Sequence, residues 1–170
     1  DIASPFYGEI LRGIEYGLRG TVYHPIFANG NWRLEEEYDA LEVLRSRQPE
    51  AMIVLGGHLP DAELLEVAQD LPLIAVGRLI KGFEDHCVRV DDFKGAYQAT
   101  RHLLDLGHRR IAHIAGLASH QDTRERQAGY CHALKEAAVA VNPDLIIEGT
   151  LQEQSGLMAV ETLLVRASPF

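Results

Sequence analysis

Arg126, Asp122 and Phe6 supply three groups that a polyhydroxylated ring requires of a binding site. Arg126 offers a planar guanidinium fork for two adjacent hydroxyls, Asp122 a carboxylate acceptor, and Phe6 an aromatic face for the C–H surface of a sugar. Each also has a plainer reading. Arg126 could be a surface helix charge paired with Asp122 four residues before it. Phe6 could belong to the core, because it begins an apolar stripe that continues through Ile10, Leu11, Ile14 and Leu18.

Other chemistries have less support. The sequence contains no G-x-S-x-G, no G-x-G-x-x-G, no P-loop and no H-E-x-x-H, so an α/β enzyme is disfavoured. His102, His108 and His113 fall on a helix, a turn and a strand without ligand-like spacing, and no metal or cofactor is expected. Cys87 and Cys131 lack C-x-x-C spacing and read as reduced, small apolar residues of a cytosolic protein. Asp91-Asp92 reads as a crossover and capping pair, since carboxylates favour the start of a helix.

These residues need a scaffold, and the hydrophobic period supplies one by alternating between helix and strand. Helices are expected over the Phe6 to Leu18 stripe, around Leu34, Tyr38, Leu41 and Leu44, and near Asp61 to Gln69. Further helices are expected at Phe93 to Leu106 with Gly107 as C-terminal cap, Thr123 to Ala138, and Glu153 to Val165. Strands are expected at Thr21 to Phe27, Ala51 to Leu55, Leu73 to Val76, Cys87 to Val90, Ile111 to Ala115, and Leu145 to Glu148. Repeated strand-then-helix with near-continuous apolar strands means α/β architecture, a parallel sheet covered on both faces. Ligands of such sheets bind beyond the carboxyl ends of the strands. That points to Ser4 to Tyr7, Gly56 to His58, Gly77-Arg78, Asp91-Asp92 and Leu117 to Asp122.

The rhythm breaks between Gly77 and Asp92, which divides the chain into residues 1–90 and 91–170. Both ends read as unfinished: no strand feeds the first helix, and only two clear strands follow the boundary. The 170 residues, 46% hydrophobic and 24% charged, have the balance of a globular protein. A net charge of −9 sets this stretch against the phosphate backbone of nucleic acid. No apolar run is long enough to span a membrane.

Four ordered segments carry a resemblance. Asp1 to Glu15 (DIASPFYGEILRGIE) is similar to the opening of LacI/GalR-type effector domains, and Leu106 to Gly116 (LGHRRIAHIAG) resembles the start of that family's second lobe. Arg124 to Tyr130 (RERQAGY) and Ser155-Gly156 follow at the family's distances. The resemblance implies two Rossmann-like lobes with parallel sheets, periplasmic-binding-protein-like of type I, the second incomplete here. It implies a small carbohydrate or related metabolite bound between the lobes as allosteric effector, and a cytoplasmic homodimer. Operator DNA would be contacted through an N-terminal helix-turn-helix domain absent from this chain.

By the same resemblance Arg126 matches the second-lobe arginine that grips effector, and Asp122 and His120 match variable specificity positions. Phe6 and Tyr7 match the first-lobe wall. Gly57, and Gly77 or Arg78, match two further strand ends where glycine lets backbone approach ligand. A periplasmic sugar-binding protein of a transport system would share the fold and is the alternative reading.

Overall fold

The structure, a computed structural model, describes residues 4–166. Asp1 to Ala3, which open the first resembling segment, and Ser168-Pro169-Phe170 lie outside the described residues. The chain forms two compact units, the first ending at Arg89 and the second beginning at Val90.

The first unit contains α1 (Pro5–Gly17), α2 (Leu34–Ser46), β1 (Met52–Leu55), α3 (Asp61–Asp70), β2 (Leu73–Val76) and β3 (Cys87–Val88), with a 3-10 turn at Glu84–His86 before β3. Its strands are parallel in the order β1-β2-β3, with Met52 opposite Leu73, Leu55 opposite Val76 and Ala75 opposite Cys87. Because side chains alternate across a strand, Met52, Leu73 and Ala75 share the face that packs with Leu41, Leu64, Val67 and Ile80 into one buried core. Ile53 and Ile74 lie opposite one another in register and are exposed. The acids Glu35, Glu36 and Glu37 in the first turn of α2 and Arg45 in its last suit the helix dipole. Cys87 is half-buried, its thiol donating to the Phe83 carbonyl oxygen at 3.3 Å.

One expectation fails in this unit: Thr21 to Phe27 is not a strand. Its composition suits a ladder, but a strand requires a neighbour, and among the described residues β1 pairs only with β2. Val22, Tyr23, Ile26 and Phe27 are exposed as a result.

The second unit contains α4 (Asp92–Asp105), β4 (His113–Ala115), α5 (Gln121–Glu136), β5 (Ile146–Glu148) and α6 (Glu153–Val165), with a 3-10 turn at Pro143–Leu145. Strands β4 and β5 are parallel, His113 opposite Ile146 and Ala115 opposite Glu148. Asp91 caps α4 by accepting from the Lys94 amide at 2.9 Å. Gly107, at φ +94°, ends that helix: its amide reaches the Leu104 carbonyl at 3.0 Å and the next amide, of His108, reaches Leu103 at 3.1 Å. The core joins Leu104, Ile111, Tyr130, Ala133 and Leu134, and the Tyr130 hydroxyl donates to the Ile111 carbonyl at 2.8 Å. Helices α4 and α5 approach so closely at Gly129 that a Cβ there would overlap the Phe93 carbonyl oxygen and stand 2.9 Å from the Tyr97 amide nitrogen.

His113 stacks on Tyr130, ring centroids 5.0 Å apart and planes within 17°, and its Nε2 is buried without a hydrogen-bond partner. Burial, with the nearby Arg126 charge, holds the imidazole below its ordinary 6.5. The folded chain therefore keeps His113 neutral where the unfolded chain binds a proton. Its contribution to stability is full above pH about 6.5 and is lost as pH falls through the depressed folded value. The melting temperature should fall between pH 7.5 and 5.5, and His113→Phe should flatten that slope. An unchanged slope in the variant would refute the assignment.

Candidate functional site

In the second unit the loops after β4 and β5 and the start of α5 meet at the carboxyl end of the sheet. The Gly149 amide donates to the Ala115 carbonyl at 2.8 Å and the Thr150 amide to the Ser155 hydroxyl at 3.0 Å, which ties the two loops to the first turn of α6. Gly116 makes room for its neighbours, since a Cβ there would lie 2.6 Å from the Thr123 hydroxyl and 2.7 Å from the Leu151 side chain, and one of them would have to shift. Arg124 braces the same loop by donating to the carbonyls of Ala118 and Ser119, each at 2.8 Å.

Arg126, in the first turns of α5, is held by two carboxylates. Its Nη1 donates to Asp92 Oδ1 at 2.7 Å and its Nη2 to Asp122 Oδ2 at 2.9 Å, with the Thr123 hydroxyl 3.4 Å away. Burial works against the charge on this guanidinium, and the two carboxylates outweigh it, so its pKa rises above the usual value. About a third of the Arg126 side chain stays exposed, so the fork is held in place while still open to solvent. Asp122 also accepts from the Thr123 amide at 2.8 Å. His120 is the buried N-cap residue of α5.

The i,i+4 pairing of Arg126 with Asp122 is therefore real, and it is half of a larger cluster. Asp92 was legible only as a helix-start acid, and the 34-residue separation from Arg126 gave no signal of their pairing.

The first-unit residues fall into two groups. Phe6, Tyr7 and Gly57 gather at the carboxyl end of β1. Phe6 is 63% exposed rather than part of the core, and stands edge-on to Tyr7 with centroids 5.2 Å apart. Tyr7 continues to Trp32 at 5.7 Å, and Trp32 to His58 at 5.6 Å. Gly56 and Gly57 turn the chain with φ of +60° and +88°. Arg78 is braced elsewhere: it donates to the Leu59 carbonyl at 2.9 Å and pairs with Asp61.

A cavity of about 160 Å³ beside β1 is lined by Tyr7, Trp32, Glu37, Leu41, Gly56 and Gly57, among others. Sequence reasoning missed Trp32 and Glu37. The signal for Glu37 was present, because Leu34, Glu37, Leu41 and Leu44 follow the helical period and place an acid on the apolar stripe.

No group of three or more His, Cys, Asp or Glu among the described residues could hold a metal ion. No helix among them is long and apolar enough to cross a membrane.

Comparison with known proteins gives these sites a context. Residues 1–170 match the family described as periplasmic binding proteins and sugar binding domain of LacI family. The HTH-type transcriptional regulator GalR of Escherichia coli (strain K12) is 33% identical over 171 residues, a match covering 100% of this chain and 50% of that protein. The chain thus spans about half the length of the curated relatives it matches.

Among solved structures, the Escherichia coli transcriptional repressor AscG is 26% identical with a TM-score of 0.84, over 98% of this chain and 62% of that one. A complex of the transcriptional regulator CelR with cellobiose is 29% identical with a TM-score of 0.76, over 98% of this chain and 51% of that one. These relatives are named as transcriptional regulators. A match running the whole length of the sequence, onto a fold of parallel α/β units, settles the assignment: the chain belongs to the family of periplasmic binding proteins and LacI-type sugar-binding domains.

Proposed function

We propose that this chain is the effector-sensing part of a cytoplasmic LacI-type transcriptional repressor and that its effector is a small carbohydrate. The observation that carries the reading is the Arg126 fork, pre-set by Asp92 and Asp122 at the carboxyl end of the second unit's sheet. Guanidinium and carboxylates together supply donors and acceptors for neighbouring hydroxyls. Asp122 and His120 would set specificity beside Arg126, and Phe6, Tyr7, Gly57 and Arg78 are the first unit's proposed contributors. CelR, a relative solved with cellobiose, supports the ligand class. The regulator names of the relatives favour this reading over a transport protein.

A sugar that binds one conformation of the regulator more tightly than another shifts the population toward it, and that differential affinity is the allosteric signal. Operator DNA would be bound by a helix-turn-helix domain outside this chain, in a homodimer. The test is a thermal-shift screen of the regulator against aldoses and glucosyl disaccharides, cellobiose included. A binding sugar at a hundred times its Kd should stabilise the protein by about 2.7 kcal/mol. A panel without a single shift would sink the carbohydrate reading. The 170-residue chain, with its net charge of −9, should give no sequence-selective gel shift with duplex DNA. A salt-sensitive, sequence-selective shift by the chain itself would contradict this.

A further inference from the structure

We infer that Glu37 is the positioning residue of the first unit's binding turn: its buried carboxyl group fixes the backbone of Gly57, His58 and Leu59 at the carboxyl end of β1. The inference rests on the proposed reading of Gly57 as an effector-lining residue.

The β1–β2 ladder ends where the Gly56 amide donates to the Val76 carbonyl at 2.8 Å. Gly56 and Gly57 then carry the chain through two left-handed conformations. The next two amides have left the ladder, and a buried amide requires an acceptor. Glu37 serves both. Its Oε2 accepts from the His58 amide at 2.6 Å and the Leu59 amide at 2.9 Å, while its Oε1 lies 3.4 Å from His58 Nδ1. At 9% exposure it is the one charged residue type among the described buried residues.

Two glycines admit it. A Cβ on Gly57 would stand 3.0 Å from Oε2, and a Cβ on Gly30 would meet the Glu37 side chain and stand 2.9 Å from its Cα. The aromatic residues are fitted to the same turn. A Cβ on Gly56 would lie 2.7 Å from the Trp32 ring and 3.1 Å from the Tyr7 hydroxyl. Trp32 itself sits at φ +58°, a strained conformation for so bulky a residue, and it makes edge contacts with both Tyr7 and His58. An acid placed on an apolar helical stripe thus sets the shape of the turn on which Gly57 and these rings depend.

The test combines amide hydrogen exchange on the full chain with titration by the sugar panel, at a temperature where every variant is folded. Glu37→Ala should speed exchange at His58 and Leu59 at least tenfold, with Gly56 and the second unit's amides within twofold of wild type. It should also weaken sugar binding at least tenfold. Glu37→Gln keeps an oxygen able to accept from both amides and should stay within threefold of wild type in both readouts, a rescue that marks the hydrogen bonds as the cause.

Should the alanine variant fail to fold, Glu37→Asp, whose oxygens are withdrawn by one methylene, should show faster exchange at the same two amides. Unchanged exchange in Glu37→Ala or Glu37→Asp overturns the inference, as does faster exchange with unchanged affinity. If Arg126→Ala loses binding while Glu37→Ala keeps it, only this inference fails. If no sugar of the panel binds the wild type, the proposed function fails, and the binding role of the turn fails with it.

Discussion

Arg126→Ala should weaken binding of the sugar found by the screen by roughly 30- to 1000-fold, corresponding to about 2–4 kcal/mol for a charged hydrogen-bonding partner lost from a partly desolvated site. The size of the effect follows from pre-organisation. Asp92 and Asp122 already hold the guanidinium in one geometry, so a ligand would not have to order a free arginine. Arg126→Lys keeps the charge and loses the fork, and should recover only part of the affinity.

Stability should fall by about 1–2 kcal/mol in the alanine variant, less than the loss in binding. Alanine is the better helix former, which partly offsets the loss of the cation between Asp92 and Asp122. Water screens Asp122, 34% exposed, more than Asp92, 20% exposed, so the residual cost falls mainly on Asp92. Calorimetric titration of wild type and variant decides the matter. A loss of less than about threefold would make Arg126 a structural ion-pair partner of Asp92 and nothing more.

Gly129→Ala should destabilise the second unit by about 2–4 kcal/mol, against the usual gain of about 1 kcal/mol when alanine replaces a helical glycine. The new methyl would meet the Phe93 carbonyl oxygen and the Tyr97 amide nitrogen, backbone atoms that no rotamer change can move aside. Helices α4 and α5 would have to separate, which opens the packing around Tyr130, Ala133 and Leu134. The same displacement would draw Asp92, the neighbour of Phe93, away from Arg126, so sugar affinity should fall as well.

Gly95→Ala is the internal control. Gly95 also lies in α4, but a Cβ there meets nothing within 4 Å, and this variant should be neutral or more stable. Denaturant melting of the two variants is the measurement. Equal stability for Gly129→Ala and wild type would show that α4 and α5 do not pack as described.

What could be read from the sequence was whatever local periodicity writes. Leu73–Val76 and Glu153–Val165 occupy the expected positions without adjustment, and Gly107 ends α4 as its place after an apolar helical run implies. Thr21 to Phe27 was misread because a strand is a property of two chains. Composition speaks only for one of them, and the partner is missing from the described ladder.

The candidate site was legible to the same extent. Arg126 with Asp122 is a helical neighbour relation and could be read directly, whereas Arg126 with Asp92 arises only when α4 packs on α5. Glu37 was hidden by company: in the run Glu35-Glu36-Glu37 a buried acid looks like one more solvated charge. His113 was noted on a strand, but its stack on Tyr130 depends on a contact between β4 and α5 that no spacing encodes.

Trp32 is the only tryptophan in the chain, and it lies in the first unit among Tyr7, Gly56 and His58. Its emission is therefore a private optical signal of that unit, while the circular dichroism of the helices sums over both. Unfolding followed by the two signals together would coincide if the units melt as one cooperative body and diverge if they melt in turn. The placement of a single indole thus gives the chain a label by which the cooperativity of its halves can be measured without adding any dye.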